Sequence, residues 1–168
     1  QGLEKLKRDE YYLVLGAGDI LKIKNNIQIN IVDNFILIPY CLSRDLNKVI
    51  NSFFCSIMLG MPYCHNAMIF KKNDFFYDDF YDLASDYDYL IRYLNFLVKT
   101  NNKSIIYFEK NASKISDSAL VIYDSEEGLS KDKRINTYRE TSIIIFKNFG
   151  FLKVLTFFIH LILKIFSK

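Results

Sequence analysis

The chain has no tryptophan, only two prolines and six glycines among its 168 residues, and just three cysteines. Cys41, Cys55 and Cys64 show no CxxC spacing and are odd in number, so the sequence indicates neither a disulfide framework nor a zinc site. We interpret them as buried thiols in a reducing compartment. The net charge is only +3 and the basic residues are scattered. We therefore expect no nucleic-acid partner, because a phosphate backbone needs a basic stripe.

Several catalytic signatures are also missing. The sequence has no GxSxG, HExxH or Walker motif, which removes the usual support for serine hydrolase, zincin and P-loop chemistry. Half of the residues are hydrophobic, enough to bury one core, so we expect one domain or the larger part of one. The chain opens on Gln1 in an apparent helix and shows no signal-peptide pattern. We expect an earlier part of the domain to precede it.

Alternating apolar runs and helical spacings predict an α/β fold with a mixed sheet flanked by helices. The predicted strands are 11–15, 27–32, 35–38, 64–72, 104–108 and 119–123, and the predicted helices are 45–58, 85–100 and 131–148. In the second helix Tyr87, Leu90, Ile91, Leu94, Leu97 and Val98 form the predicted buried face. Asn101 and Asn102 are expected to end it.

Residues 151–166 form an apolar tail that we assign to a segment separate from a 1–150 domain. The run is shorter than the roughly 20 residues that a membrane-spanning helix needs. Its lysines can extend toward anionic head groups while phenylalanine and leucine enter the acyl boundary. We interpret it as a helix in the membrane interface, which places the protein on the inner face of the cell membrane. A terminal helix docked on the core or on a partner subunit is the alternative.

A Gly-Ala-Gly-Asp turn at residues 16–19 closes the first predicted strand. Asp19 then lies just beyond a strand end, where open α/β sheets usually bind ligands, and the glycines let the backbone approach a bulky group. A divalent cation bound by one or two carboxylates and substrate phosphates would fit there. An ordinary glycine turn capped by aspartate explains the same residues.

Two carboxylates, Asp86 and Asp88, lie in the first turn of the helix predicted to begin at Ser85, which we expect to be its N-cap. Being two residues apart, they point about 200° apart on a helix, so we expect one to face a cleft and the other solvent. Asp86 is the candidate general base. Asp88 is expected to support the preceding loop or to pair with Arg92. Stabilisation of the helix dipole is the alternative explanation for both acids.

Four motifs occur in order, at 16–19, at 61–72 (Met-Pro-Tyr-Cys-His-Asn-Ala-Met-Ile-Phe-Lys-Lys), at 84–92 (Ala-Ser-Asp-Tyr-Asp-Tyr-Leu-Ile-Arg) and at 127–130 (Glu-Gly-Leu-Ser). Up to about residue 150 the chain resembles family 2 glycosyltransferases, above all bacterial members that build capsule, O-antigen or exopolysaccharide. The resemblance implies a GT-A fold, here without its N-terminal nucleotide-binding part, and inversion at the anomeric carbon. It also implies a nucleotide-diphosphate sugar donor, a glycan or lipid-linked acceptor, and Mn²⁺ or Mg²⁺.

The resemblance also assigns roles to individual residues. Asp86 matches the catalytic base, and Asp19 matches the last aspartate of the DxD-like motif, whose first carboxylate is replaced here by a small residue. The substrate-binding residues that it implies are Gly18, His65, Asn66 and Ser85. Judged without the resemblance, His65 is either a hydrogen-bonded structural residue or a ligand. The competing interpretations of the chain are a noncatalytic membrane-surface interaction module and a metal-dependent nucleotidyl or phosphoryl transferase.

Overall fold

The computed structural model describes residues 7, 10–15, 19–23, 35–37, 40–43, 56–114, 119–123 and 134–166. The chain divides into two compact units, each assembled from three separate segments. The first unit consists of Gln1–Asn51, Tyr63–Asp74 and Lys103–Gly128, and the second of Ser52–Pro62, Phe75–Asn102 and Leu129–Lys168.

The described residues include seven strands and four α-helices. The strands are β1 (Tyr11–Leu13), β2 (Ile20–Ile23), β3 (Phe35–Leu37), β4 (Tyr40–Ser43), β5 (Met68–Lys71), β6 (Ser113–Lys114) and β7 (Ala119–Tyr123). The helices are α1 (Ser85–Asn101), α2 (Ile105–Asn111), α3 (Arg134–Phe149) and α4 (Phe151–Phe166), and two 3₁₀ turns occupy Ile57–Leu59 and His65–Ala67.

The first unit contains two small sheets, ordered β1-β5-β3-β6 and β2-β7-β4. Most strand pairs are antiparallel, but β3 with β6 and β4 with β7 are parallel, so both sheets are mixed. Along β5 burial alternates, with Met68 and Phe70 buried and Ile69 and Lys71 half-buried, as the two-residue period of a strand requires. The Phe70 ring lies 5.8 Å from that of Tyr12, its partner on β1.

The second unit is helical. Helix α3 packs against both α1 and α4, and the turn Ile57–Leu59 packs against α3 and α4. The Tyr87 hydroxyl donates a buried 2.6 Å hydrogen bond to the Ile57 carbonyl, which fastens α1 to this turn. Helix α1 ends at Asn101, and Asn102 follows it with a left-handed backbone (φ 53°) that is typical of a helix C-terminus. Among the described residues no helix is long and apolar enough to cross a membrane.

The α/β class is confirmed, as are the helices α1, α3 and α4 and the strands at 11–13, 35–37 and 119–123. The predicted strand 27–32 and most of the predicted helix 45–58 lie outside the described residues, and the described end of the latter is a 3₁₀ turn. Strands β2, β4 and β6 were not predicted.

One strand prediction was wrong, and another was confirmed only in part. Residues predicted as strand 104–108 begin helix α2, because the Ser104 hydroxyl accepts a hydrogen bond from the Tyr107 amide and caps a helix there. A short apolar run is compatible with either period, and this cap decides between them. The strand predicted over 64–72 begins only at Met68, after the 3₁₀ turn His65–Ala67.

Candidate functional site

In the first unit, Asp19 and Asn66 are brought into direct contact although they are 47 residues apart. The Asn66 side-chain amide donates a hydrogen bond to Oδ2 of Asp19. Asp19 directly precedes β2, which pairs with β7, and Asn66 lies in the 3₁₀ turn that packs against β7. The amide is only 7% exposed whereas Asp19 is partly exposed, so a buried donor orients a carboxylate that solvent can reach. Gly18 lies outside the described residues.

The segment around Asn66 is fixed on both sides. The Ala67 amide donates to the Cys64 carbonyl at 3.0 Å, which closes the 3₁₀ turn, and Nδ1 of half-buried His65 is shielded from solvent. The Tyr63 hydroxyl donates to the Glu109 carbonyl of α2 at 3.3 Å. Burial, together with the negative charge of Glu109, raises the pKa of Tyr63 to about 12. The phenol therefore remains a hydrogen-bond donor throughout the neutral range.

The oxygen of Asp19 fits a divalent cation only as one ligand among several. No group of three or more His, Cys, Asp or Glu side chains that could hold a metal ion occurs in the part of the chain that the structure describes. Mg²⁺ is commonly bound through one or two carboxylates together with substrate phosphates. A cation that arrives with a diphosphate fits this donor set, whereas a site made entirely of protein ligands does not.

In the second unit, Asp86 lies in the first turn of α1 and is partly exposed. Burial raises the pKa of Tyr77, and the neighbouring charge of Asp86 and the Tyr89 phenol raise it further. The Tyr77 ring stacks on that of Tyr89 with 5.0 Å between centroids. A carboxylate beside a phenol that holds its proton is an arrangement in which only the carboxylate can act as a base near neutral pH.

Asp88 pairs with Arg92, as predicted, through a 2.7 Å contact between Oδ2 and Nε. The same guanidinium donates to the Phe76 carbonyl at 2.7 Å, so the pair also holds the preceding loop. The expectation that the second acid faces solvent was wrong, because Asp88 is only 7% exposed. A guanidinium within hydrogen-bonding distance allows a carboxylate to be buried in this way.

The prediction that Ser85 caps α1 was also wrong. The N-cap is Ala84, which has no side chain to accept a hydrogen bond, and Ser85 is the first helical residue. Instead, Glu140 of α3 accepts the backbone N–H groups of Leu83 and Ala84, both at 2.9 Å. A carboxylate next to the positive end of a helix also stabilises the helix dipole. Glu140 thereby fixes the turn that carries Asp86.

We predict that Glu140→Ala lowers the free energy of unfolding by about 1–2 kcal/mol, since it leaves two backbone N–H groups without their acceptor. Glu140→Gln retains a side-chain oxygen and should cost less. Urea unfolding followed by circular dichroism measures both changes. Asp82→Ala, at an exposed position of the same loop, is the control and should stay within about 0.5 kcal/mol of the wild type. Equal losses in the Glu140→Ala and Asp82→Ala proteins would contradict the capping role.

A pocket of about 260 Å³ opens beside this contact, with Phe80, Asp82, Arg139 and Glu140 in its wall. Asp86 is not among its lining residues. The pocket therefore gives no argument about the candidate base.

Neither Tyr77 nor Glu140 was predicted as part of a site. The acidic, aromatic composition of loop 74–83 was visible in the sequence, but nothing in it singles out Tyr77. Glu140 is 56 residues from Ala84, and no local pattern connects them. Comparisons of the chain with protein-family models, curated proteins and solved structures give no match.

Proposed function

We propose that the protein is an inverting glycosyltransferase of the GT-A type that moves a sugar from a nucleotide-diphosphate donor to a glycan or lipid-linked acceptor. The observation that carries the proposal is the hydrogen bond from Asn66 to Asp19. It joins two of the four sequence motifs on which the resemblance rests. The contact holds the aspartate of the first motif against the second motif, 47 residues away along the chain.

In this proposal Asp86 is the general base. A sugar hydroxyl is a weak nucleophile near neutral pH, so Asp86 accepts its proton while the acceptor oxygen bonds to the anomeric carbon. The bond from that carbon to the diphosphate breaks on the opposite face, which inverts the configuration. Such proton transfer typically contributes about 10²–10⁴-fold to the rate. The partly exposed position of Asp86 supports this role, because an acceptor hydroxyl must reach the carboxylate.

Asp19 is proposed to act on the donor. The departing diphosphate gains negative charge, and a divalent cation supplies positive charge to it when bound. Asp19 would hold that cation, and Asn66 keeps the carboxylate in one orientation. Gly18, His65 and Ser85 are proposed to contact the substrates on the strength of the resemblance. Work on lipid-linked acceptors would place the protein at the inner face of the cell membrane.

We expect Asp19→Asn to weaken Mn²⁺-dependent binding of nucleoside diphosphates by at least about tenfold, because it removes the one anionic ligand that the protein is proposed to give the cation. Calorimetric titration with UDP, GDP, CDP and TDP, with Mn²⁺ or with EDTA, measures this. The titrations use the protein expressed together with any coding sequence that precedes Gln1. Asp79→Asn, an exposed aspartate of the loop before α1, is the control and should bind like the wild type. Absence of Mn²⁺-dependent binding to all four nucleotides, or equal binding by the Asp19→Asn protein, would refute the proposal.

A further inference from the structure

Helix α4 is apolar on two opposite sides, of which one is buried within its own unit. Phe157 and Leu161 form the buried side. Eight large apolar side chains, each at least 43% exposed, lie on the other: Phe151, Leu152, Leu155, Phe158, Ile159, Ile162, Leu163 and Phe166. At 3.6 residues per turn these eight fall within an arc of about 140°. We call them the apolar arc.

The polar residue at the edge of the apolar arc, Thr156, can also be buried in an apolar environment. Thr156 is exposed there, and its hydroxyl donates to the Leu152 carbonyl at 2.8 Å. A hydroxyl that is already hydrogen-bonded within the helix carries little penalty when water is removed. A contiguous apolar surface of this kind is rarely left to water in a soluble protein and marks a contact with a protein or a membrane.

The charge of the segment decides between those partners. Residues 147–168 contain four lysines and no aspartate or glutamate, the lysines being Lys147, Lys153, Lys164 and Lys168. A second copy of the chain on this face would bring two such lysine sets together with no acid in the segment to neutralise them. Anionic lipid head groups attract the same lysines, and a lysine-rich segment that also carries an apolar surface is typical of helices that bind anionic membranes.

We propose that α4 is an interfacial membrane anchor whose apolar arc enters the boundary between head groups and acyl chains of an anionic bilayer. The side of α4 that carries Phe157 and Leu161 is buried against its own unit, so we propose that the helix lies along the surface with only the opposite side in lipid. The exposed side chains of α4 are those proposed to enter the lipid, and the buried Phe157 and Leu161 hold the helix to its own unit. This anchor is independent of the proposed glycosyl transfer, and its test needs no sugar substrate.

The absence of tryptophan permits a sharp test, because one substitution introduces a unique fluorophore. Phe158→Trp places it on the apolar arc and Phe96→Trp places it on α1, at positions that are 43% and 44% exposed. Each protein is mixed with vesicles of phosphatidylcholine alone or with added phosphatidylglycerol. We expect a blue shift of the emission, and quenching by brominated acyl chains, only for Phe158→Trp with phosphatidylglycerol. The Phe96→Trp emission should not change.

A second pair of substitutions, made in the Phe158→Trp protein, tests the energetics. Ile159→Ser should weaken vesicle partitioning by about tenfold, whereas Ile106→Ser, at a similarly exposed helical isoleucine, should leave it unchanged. Added salt should weaken partitioning as well. Equal partitioning to neutral vesicles would overturn the preference for anionic lipid. An unshifted emission of the Phe158→Trp protein with every kind of vesicle would overturn the membrane proposal as a whole. It would do so whether or not sedimentation without lipid shows a dimer that Ile159→Ser dissociates.

Discussion

The Asp86→Asn protein is expected to turn over a nucleotide-sugar donor about 10²–10⁴-fold more slowly than the wild type while remaining folded. Asparagine has nearly the same shape as aspartate but cannot take the proton of an acceptor hydroxyl. The position is partly exposed, so the exchange disturbs little packing. Loss of one negative charge from the first helical turn costs only about 0.3–1 kcal/mol of stability. A rate loss of this size in a folded protein therefore reports on chemistry.

The rate is measured as release of nucleoside diphosphate from a panel of sugar donors. The assay uses the protein expressed together with any coding sequence that precedes Gln1. The expected signature is a fall in kcat with little change in the donor KM, because the carboxylate acts on the acceptor. Asp82→Asn, an exposed acid of the adjacent loop, is the control and should keep the wild-type kcat. Retained turnover in the Asp86→Asn protein would defeat the assignment of the base. If no donor is turned over by any form of the protein, the noncatalytic membrane-surface module becomes the better interpretation.

The Asp19→Asn and Asp86→Asn proteins test different halves of the proposal. The first should lose Mn²⁺-dependent nucleotide binding, whereas the second should bind nucleotide and fail in transfer. The two acids belong to different compact units, so each substitution is interpreted through its own local structure. Both effects in the predicted order would support the separate roles proposed for Asp19 and Asp86.

The long helices could be predicted from the sequence because their apolar residues repeat at helical spacing over several turns. All of the predicted buried face of α1 is buried except half-buried Val98. The same periodicity missed Tyr89 and Tyr93, which are 0% and 1% exposed. Apolar residues that repeat every 3.6 positions identify one buried face of a helix. Helix α1 is buried on more than one side, so this pattern does not identify all of its buried residues. Part of that cover is the Tyr77 ring, whose placement on Tyr89 depends on the path of a loop.

Short elements could not be predicted in the same way. Three or four apolar residues, as in β2 and β4, carry too little periodicity to separate a strand from a loop, and the residues of α2 were mistaken for a strand. Residues 104–108 were predicted as a strand, whereas the Ser104 side chain caps a helix at this point. Strand pairing also depends on partners elsewhere in the chain, and the parallel contact of β4 with β7 has no local signature.

The candidate site was predictable only where motif order supplied long-range information. The resemblance named Asp19 and Asn66 separately, and the hydrogen bond between them is an observation that spacing alone could not have given. The role of Glu140 at the start of α1 was beyond prediction, because a serine at position 85 satisfied the local rule for a cap. Local rules describe what a residue can do, and tertiary contacts decide whether it does so.

Phe157→Ala is expected to have the largest effect on stability, a loss of about 3–5 kcal/mol in the free energy of unfolding. Phe157 is fully buried and meets the Tyr138 ring edge-to-face at a centroid distance of 6.3 Å, so truncation leaves a cavity between α4 and α3. The adjacent Phe158 is 43% exposed, and Phe158→Ala should cost less than about 1 kcal/mol. Urea unfolding of the two proteins under identical conditions makes the comparison.

The substitutions Phe157→Ala and Phe158→Ala also distinguish the packing of α4 on its own unit from its proposed binding to a membrane. Phe158→Ala should weaken partitioning to anionic vesicles while leaving stability nearly intact, because its side chain belongs to the apolar arc. Phe157→Ala should do the opposite wherever the protein remains folded. Equal losses of stability in both proteins would contradict docking through Phe157, since neighbouring positions on a helix that packs on one side must differ. An exposed apolar surface is therefore compatible with a stable unit, because a separate set of side chains holds α4 in place.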